Sequence, residues 1–174
     1  AEGQALEEAN YFHKVYFHRL GTPQEDDVLV YDRPDQKEWG FAAEVTEDDR
    51  YLVISVWQGT DVRNRVFYRE LGREDAAIVE LIPELEAEYR FLGNEGSLFW
   101  FYSDLDAPRG RVLAIDVESP ERERWQTLVA ETEDTLQGVN VVADQFVLEY
   151  LADAHSRVTR VALDGTPLGE VELP

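Results

Sequence analysis

Four stretches of one kind, KVYFHRLG (14–21), RVFYRELG (65–72), RVLAIDV (111–117) and RVTRVALDG (157–165), decide the fold. Each opens on a basic residue and continues with alternating apolar positions, the period-2 signature of a strand. Their marker valines, Val15, Val66, Val112 and Val158, stand 51, 46 and 46 residues apart. A period of that length filled with short strands points to a β-propeller or related β-array, because one small sheet cannot bury both its faces alone. The chain therefore reads as all-β, a propeller fragment of about three and a half four-stranded antiparallel blades.

Working outward from these strands, three segments each divide into four strands bounded by Gly, Pro, Asp and Asn. The first holds GFAAEV (40–45), YLVISVW (51–57), RVFYREL (65–71) and AIVELI (77–82). The second holds EYRFLG (88–93), SLFWFYS (97–103), RVLAIDV (111–117) and WQTLVA (125–130). The third holds GVNVVA (138–143), QFVLEYL (145–151), RVTRVAL (157–163) and GEVEL (169–173). KVYFHRL and VLVYDR (28–33) supply the last two strands of a preceding unit. The expected units are 1–38, 39–83, 84–131 and 132–174, with a helical turn in the opening EGQALEEANYF treated as a linker. SLFWFYS is apolar on both faces, as a central strand sandwiched between two neighbouring sheets requires.

Composition narrows the function. The chain has 174 residues, 44% of them hydrophobic, and no apolar run approaching the roughly 20 residues of a membrane-spanning helix. No membrane partner and no signal peptide are expected, which suits a soluble protein of either the cytoplasm or the periplasm. There is no cysteine, hence no disulfide or thiolate chemistry, and no methionine. With Ala1 first and the strand-like LGEVELP last, the chain reads as cut at both ends from something longer. A net charge of −21 argues against nucleic acid, whose phosphates demand clustered cations. The acidity reads as a solvated surface, with calcium binding or attraction of basic peptides as alternatives. No His or carboxylate spacing amounts to a zinc site, and no cofactor is expected.

The run HKVYFHRLGTPQEDDVLVYDRPDQKEWGFAAEVTEDDRYLVISVWQGTDVRNRVFYREL (13–71) resembles the propeller domain of prolyl oligopeptidases, serine peptidases that cut short peptides after proline. The stretches at 88–125 and 150–158 are similar to later blades of the same domain, and YFHRLGT (16–22), WGFAAEVTEDDRYLVIS (39–55) and DAPRGR (106–111) carry the likeness most specifically. The resemblance implies a seven-bladed propeller seated on an α/β-hydrolase domain that bears Ser, Asp and His, with the propeller restricting access to short proline-containing peptides. It also implies that the hydrolase domain and remaining blades are this chain's partners. By position, Gly40, Phe41, Trp57 and Thr60 are then expected near a bound peptide, with inter-blade packing as the competing role for the aromatic residues.

The chain itself should not be an enzyme. None of Ser55, Ser97, Ser103, Ser119 or Ser156 stands in the G-x-S-x-G turn that exposes a hydrolase nucleophile. Asp153, His155 and Ser156 imitate a catalytic cluster but read as a polar turn, and His13 and His18 read as packed or surface residues. The pairs Asp61/Arg65, Asp106/Arg111 and Asp153/Arg157 are expected to brace the turns between second and third strands. A stand-alone or engineered scaffold is the alternative. In either case the end blades should expose apolar faces, so self-association of the fragment is expected.

Overall fold

The computed structural model describes residues 11–73 and 75–172. Two strands, β1 (Lys14–Phe17) and β2 (Val28–Asp32), pair antiparallel ahead of three four-stranded meanders. The first meander is β3 (Trp39–Val45), β4 (Tyr51–Gln58), β5 (Asn64–Glu70) and β6 (Val79–Ile82). The second is β7 (Tyr89–Glu95), β8 (Leu98–Ser103), β9 (Arg111–Asp116) and β10 (Gln126–Val129). The third is β11 (Thr135–Val142), β12 (Gln145–Ala152), β13 (His155–Ala162) and β14 (Pro167–Val171). Every strand expected from the repeat is present, and each sheet is ordered as its strands follow in sequence. The anticipated helical turn before residue 11 and the end of the last strand at Leu173 lie outside the described residues.

Strand alternation builds the cores between sheets. Along β8, Phe99 and Phe101 point into a cluster with Tyr51, Val53 and Val66 of the first sheet. One step along, Trp100 and Tyr102 enter a second cluster with Leu136, Phe146, Leu148 and Tyr150 of the third sheet. A third cluster of Trp39, Ile54, Val56 and Phe67 receives Tyr31 from β2. Each fully buried aromatic contributes about 1.5–3 kcal/mol of transfer free energy, so β8, apolar on both faces, fastens two interfaces at once. A one-residue slip in its register would exchange the two sets and ruin both interfaces.

Hydrogen bonds between sheets sort the loops into two ends. At one, the connection after a second strand meets the connection leading into the next sheet. Buried Asn64 receives the Tyr89 N–H at 2.7 Å, donates to Tyr89 O at 2.9 Å, and its own N–H donates to Ala87 O. The same joint recurs one sheet on, where Leu136 N–H donates to Arg109 O and Arg109 N–H to Glu131 at 2.7 Å. At the other end, where first strands turn into second strands, Asn94 donates to Asp48 at 3.0 Å. These contacts fix the sheets radially and leave six connecting loops on one rim.

The bracing pairs differ from expectation. Asp61 bonds Arg63, which holds its carboxyl down at about 2, rather than Arg65. Arg65 instead donates to Pro83 O at 2.9 Å and lies over the Trp39 ring. Arg157 bonds Asp134, not Asp153. The reason is local: Arg63 reaches Asp61 from two residues away within the loop, while Arg65 and Arg157 find acceptors in the connections that leave or enter their own sheets, at Pro83 and Asp134.

Candidate functional site

On the rim that carries the six loops, β3 begins and β4 ends. Gly40 and Trp57 are direct cross-strand partners, so both side positions face the same way. The indole of Trp57 lies flat across Gly40: a Cβ there would sit 2.2 Å from Trp57 Cε2 and 2.4 Å from Nε1. The backbone at Gly40 does not demand glycine, so the indole alone does. His13 meets Trp57 edge-on at 6.1 Å between ring centroids. Thr60 is exposed in the turn that follows β4, beside Gly59 with its φ of +60°. Gly40, Trp57 and Thr60 are thus gathered at one corner.

Phe41 points the other way. Its partner is Val56, on the opposite face of the sheet, and its ring packs against Tyr31 at 5.1 Å in the cluster shared with β2. Trp39 is buried on that same face between two guanidinium groups, Arg33 at 4.7 Å and Arg65 at 4.5 Å from the ring centroid. Arg33 also bonds Asp35 and Glu80, and its partnership holds the Asp35 carboxyl down at about 2. This stack of cation, indole and cation closes the joint between β2 and the first sheet.

The first strands of the three sheets converge on a common axis. A cavity of about 320 Å³ is lined together by Glu44 and Glu47, by Phe91 and Asn94, and by Val141 and Asp144. A second, of about 410 Å³, opens between the first and second sheets against Glu44, Ser55, Val62 and Phe91. Glu44 borders both, and the protein packed around its carboxyl raises its pKa by desolvation. Sequence reasoning missed Glu44 and Asn64. Neither belongs to a motif, and only the strand register shows what each faces.

No catalytic cluster forms at Asp153, His155 and Ser156. The turn is only Asp153–Ala154, the other two residues already belong to β13, and the Ser156 hydroxyl donates to Glu149 at 2.9 Å. His155 Nδ1 is 3.4 Å from the Asp153 carbonyl oxygen, not from its carboxylate. His18 pairs with Asp27 at 2.6 Å. Among the described residues no group of three or more His, Asp or Glu is placed to hold a metal, and no helix is long and apolar enough to cross a membrane.

The sequence profile described as "Prolyl oligopeptidase, N-terminal beta-propeller domain" matches residues 1–174. The prolyl endopeptidase of Elizabethkingia meningoseptica is 29% identical over 173 residues, 99% of this chain and 24% of that protein. Prolyl oligopeptidase A of Amanita bisporigera is 32% identical over 111 residues, 62% of this chain and 15% of that protein. Among solved structures, one of two prolyl endopeptidases studied for inter-domain dynamics in catalysis and specificity superposes with a TM-score of 0.86 at 34% identity, over 97% of this chain and 25% of that one. Prolyl oligopeptidase B of Galerina marginata, without ligand, gives a TM-score of 0.86 at 25% identity, over 92% of this chain and 23% of that one. The chain spans about a quarter of the length of the full relatives.

Proposed function

Because the chain belongs to the family of prolyl oligopeptidase N-terminal β-propeller domains, we propose that it is the non-catalytic, access-limiting part of a serine peptidase acting on proline-containing peptides. The observation that carries this reading is the full-length match to the propeller together with a span of only 24% of a complete relative. Residues 39–83, 84–131 and 132–174 are then successive blades, and 1–38 includes the last two strands of the blade before them. The peptidase chemistry resides on an α/β-hydrolase domain that docks on the rim bearing Trp57 and Thr60.

Peptide is the ligand class that suits this rim. Prolyl oligopeptidase B of Galerina marginata has been solved bound to a 35mer hydrolysis and macrocyclization substrate, and this chain superposes on it with a TM-score of 0.83 at 25% identity over 91% of its residues. Trp57 and Gly40 supply a flat aromatic seat for a prolyl or apolar side chain at little conformational cost. Thr60 offers a hydroxyl beside it. Phe41 contributes from behind, by holding the strand against Tyr31.

The test compares the purified chain with the full-length protein on a Gly-Pro chromogenic substrate and on a long, unfolded, proline-rich protein. The chain is expected to turn over neither, and the full-length protein to cleave the small substrate while sparing the long one. Turnover that stays with the isolated chain through purification overturns the non-catalytic assignment. Cleavage of both substrates at similar rates by the full-length protein overturns the access-limiting one.

The isolated chain is also expected to self-associate. Tyr16, Phe17, Val28 and Leu29 on β1 and β2 are 45–60% exposed, and Val142 and Leu151 lie open on the far face of the third sheet. Apolar surface of this kind is covered by neighbouring blades in a complete propeller and otherwise finds another copy. Light scattering at high micromolar concentration should report a dimer or larger species, and the pair Phe17→Lys with Val28→Lys should shift it towards monomer. A wild-type chain that stays monomeric under those conditions rejects the idea.

A further inference from the structure

We propose that Glu44 anchors a cationic group of a peptide lying along β3, which makes this wall of the propeller a subsite for peptides carrying lysine, arginine or a free amino terminus. The inference rests on the reading of the chain as part of a peptide-cleaving enzyme and adds to it a charge preference at a distance from the aromatic seat.

Register supplies the geometry. Gly40, Ala42 and Glu44 share one face of β3, opposite Trp57, Ser55 and Val53 respectively. Successive residues of a strand rise about 3.3 Å, so Glu44 lies about 13 Å from Gly40 along the strand. That is the reach of about four residues of an extended peptide. Between the two ends the surface is low, because Ala42 and Ser55 raise little above the backbone. At the Glu44 end, Glu44 and Ser55 line a groove of about 410 Å³ together with Val62 and Phe91.

Glu44 is suited to a cation that the protein does not itself provide. It has no hydrogen bond or ion pair among the described residues, whereas the nearby acids Glu88 and Asp48 are engaged. Glu88 pairs with Arg90 at 3.3 Å, and Asp48 accepts from Thr46 and Asn94. Arg90, the cation bordering the groove, is held by Glu88 and lies over the Tyr102 ring at 3.9 Å. Protein packed to one side raises the Glu44 pKa while the residue stays exposed, so its carboxylate is open to an incoming ammonium or guanidinium. Glu47 and Asp144 line the adjoining cavity and deepen the negative potential, and the net charge of −21 draws cations towards it from further away. An aliphatic stem leading to the charge packs against Phe91 and Val62, as lysine and arginine stems commonly do.

The experiment titrates the chain by amide NMR with two N-acetylated peptide amides, Lys-Ala-Ala-Gly-Pro and the same sequence with norleucine for lysine. Norleucine keeps the aliphatic stem and removes the charge. The lysine peptide is expected to bind about fivefold more tightly, the upper range for a partly exposed ion pair, and to shift amides at residues 42–45 and 91. Glu44→Gln is exposed enough to fold unchanged, and it should bring the two affinities together without weakening the norleucine peptide. Equal binding of both peptides to the unaltered chain rejects the charge anchor and leaves the peptide-binding reading in place. A lysine preference that survives Glu44→Gln assigns it to another residue and overturns the proposal. Absence of any shift with either peptide overturns both the anchor and the peptide wall it rests on.

Discussion

Replacing Asn64 by leucine is expected to lower the thermal midpoint of this chain by on the order of 10 °C, or about 3–4 kcal/mol. Asn64 stands at the first residue of β5 with 8% of its surface exposed, and its amide serves both backbone groups of Tyr89, accepting at 2.7 Å and donating at 2.9 Å. Leucine keeps the branched four-atom shape of the side chain but leaves the N–H and C=O of Tyr89 without these partners, and each stranded buried polar group costs about 1–3 kcal/mol. The damage falls at the joint between the first and second sheets. Tyr89 itself is 1% exposed and packs in the cluster that both sheets share, so water cannot enter to replace the lost amide without loosening that core. Asn94→Ala makes the contrast, since it removes the exposed bond to Asp48 and a local one to Gly96 O at the opposite end and should cost about 1 kcal/mol. Calorimetry or circular dichroism at matched concentration decides the matter: a shift for Asn64→Leu no larger than that for Asn94→Ala would mean that hydrophobic packing alone holds the two sheets together.

Position in the sequence carried some of these features plainly and hid others. The strands were legible because their period of 2 and the recurrence of the basic-valine start both survive in every unit, and SLFWFYS announces a strand buried on two faces without further context. The joints between sheets were not legible. A side chain such as Asn64 acts on a residue 25 positions away, and nothing in the local pattern distinguishes it from an ordinary polar residue at a strand start. The same holds for the arginines. Asp61 and Arg65 look like a natural pair in the sequence, but Arg63 reaches the carboxylate first and Arg65 turns to Pro83 and Trp39, contacts that exist only once β3, β5 and the connection after β6 come together in the first sheet. Of the residues placed at the peptide rim, Gly40, Trp57 and Thr60 stand together, whereas Phe41 faces backwards because adjacent residues of a strand must point to opposite faces.

That opposition of faces makes Gly40 the sharpest test of the rim. Gly40→Ala is expected to destabilise the chain by about 2 kcal/mol, since a methyl group forced into a filled position commonly costs 1–3 kcal/mol. The added Cβ would meet three indole atoms of Trp57 at 2.2–2.4 Å, well inside contact distance, so the ring must leave its seat. Because Gly40 does not occupy the left-handed region, alanine suits the backbone, and the whole penalty should trace to the indole. A double-mutant cycle makes this quantitative. In a Trp57→Ala background the clash is gone, and Gly40→Ala should become neutral or stabilising by up to about 1 kcal/mol, because alanine loses less backbone entropy on folding than glycine. A coupling of about 2–3 kcal/mol between the two positions is therefore expected. The displaced indole should move into water, shift tryptophan emission to longer wavelength, and weaken binding of a prolyl peptide about tenfold if the flat seat is what receives it. Destabilisation of equal size in both backgrounds would place the constraint in the backbone of β3 instead. Full peptide affinity in Gly40→Ala, with the indole shown by its emission to be displaced, would remove Trp57 from the peptide rim while leaving its packing role intact.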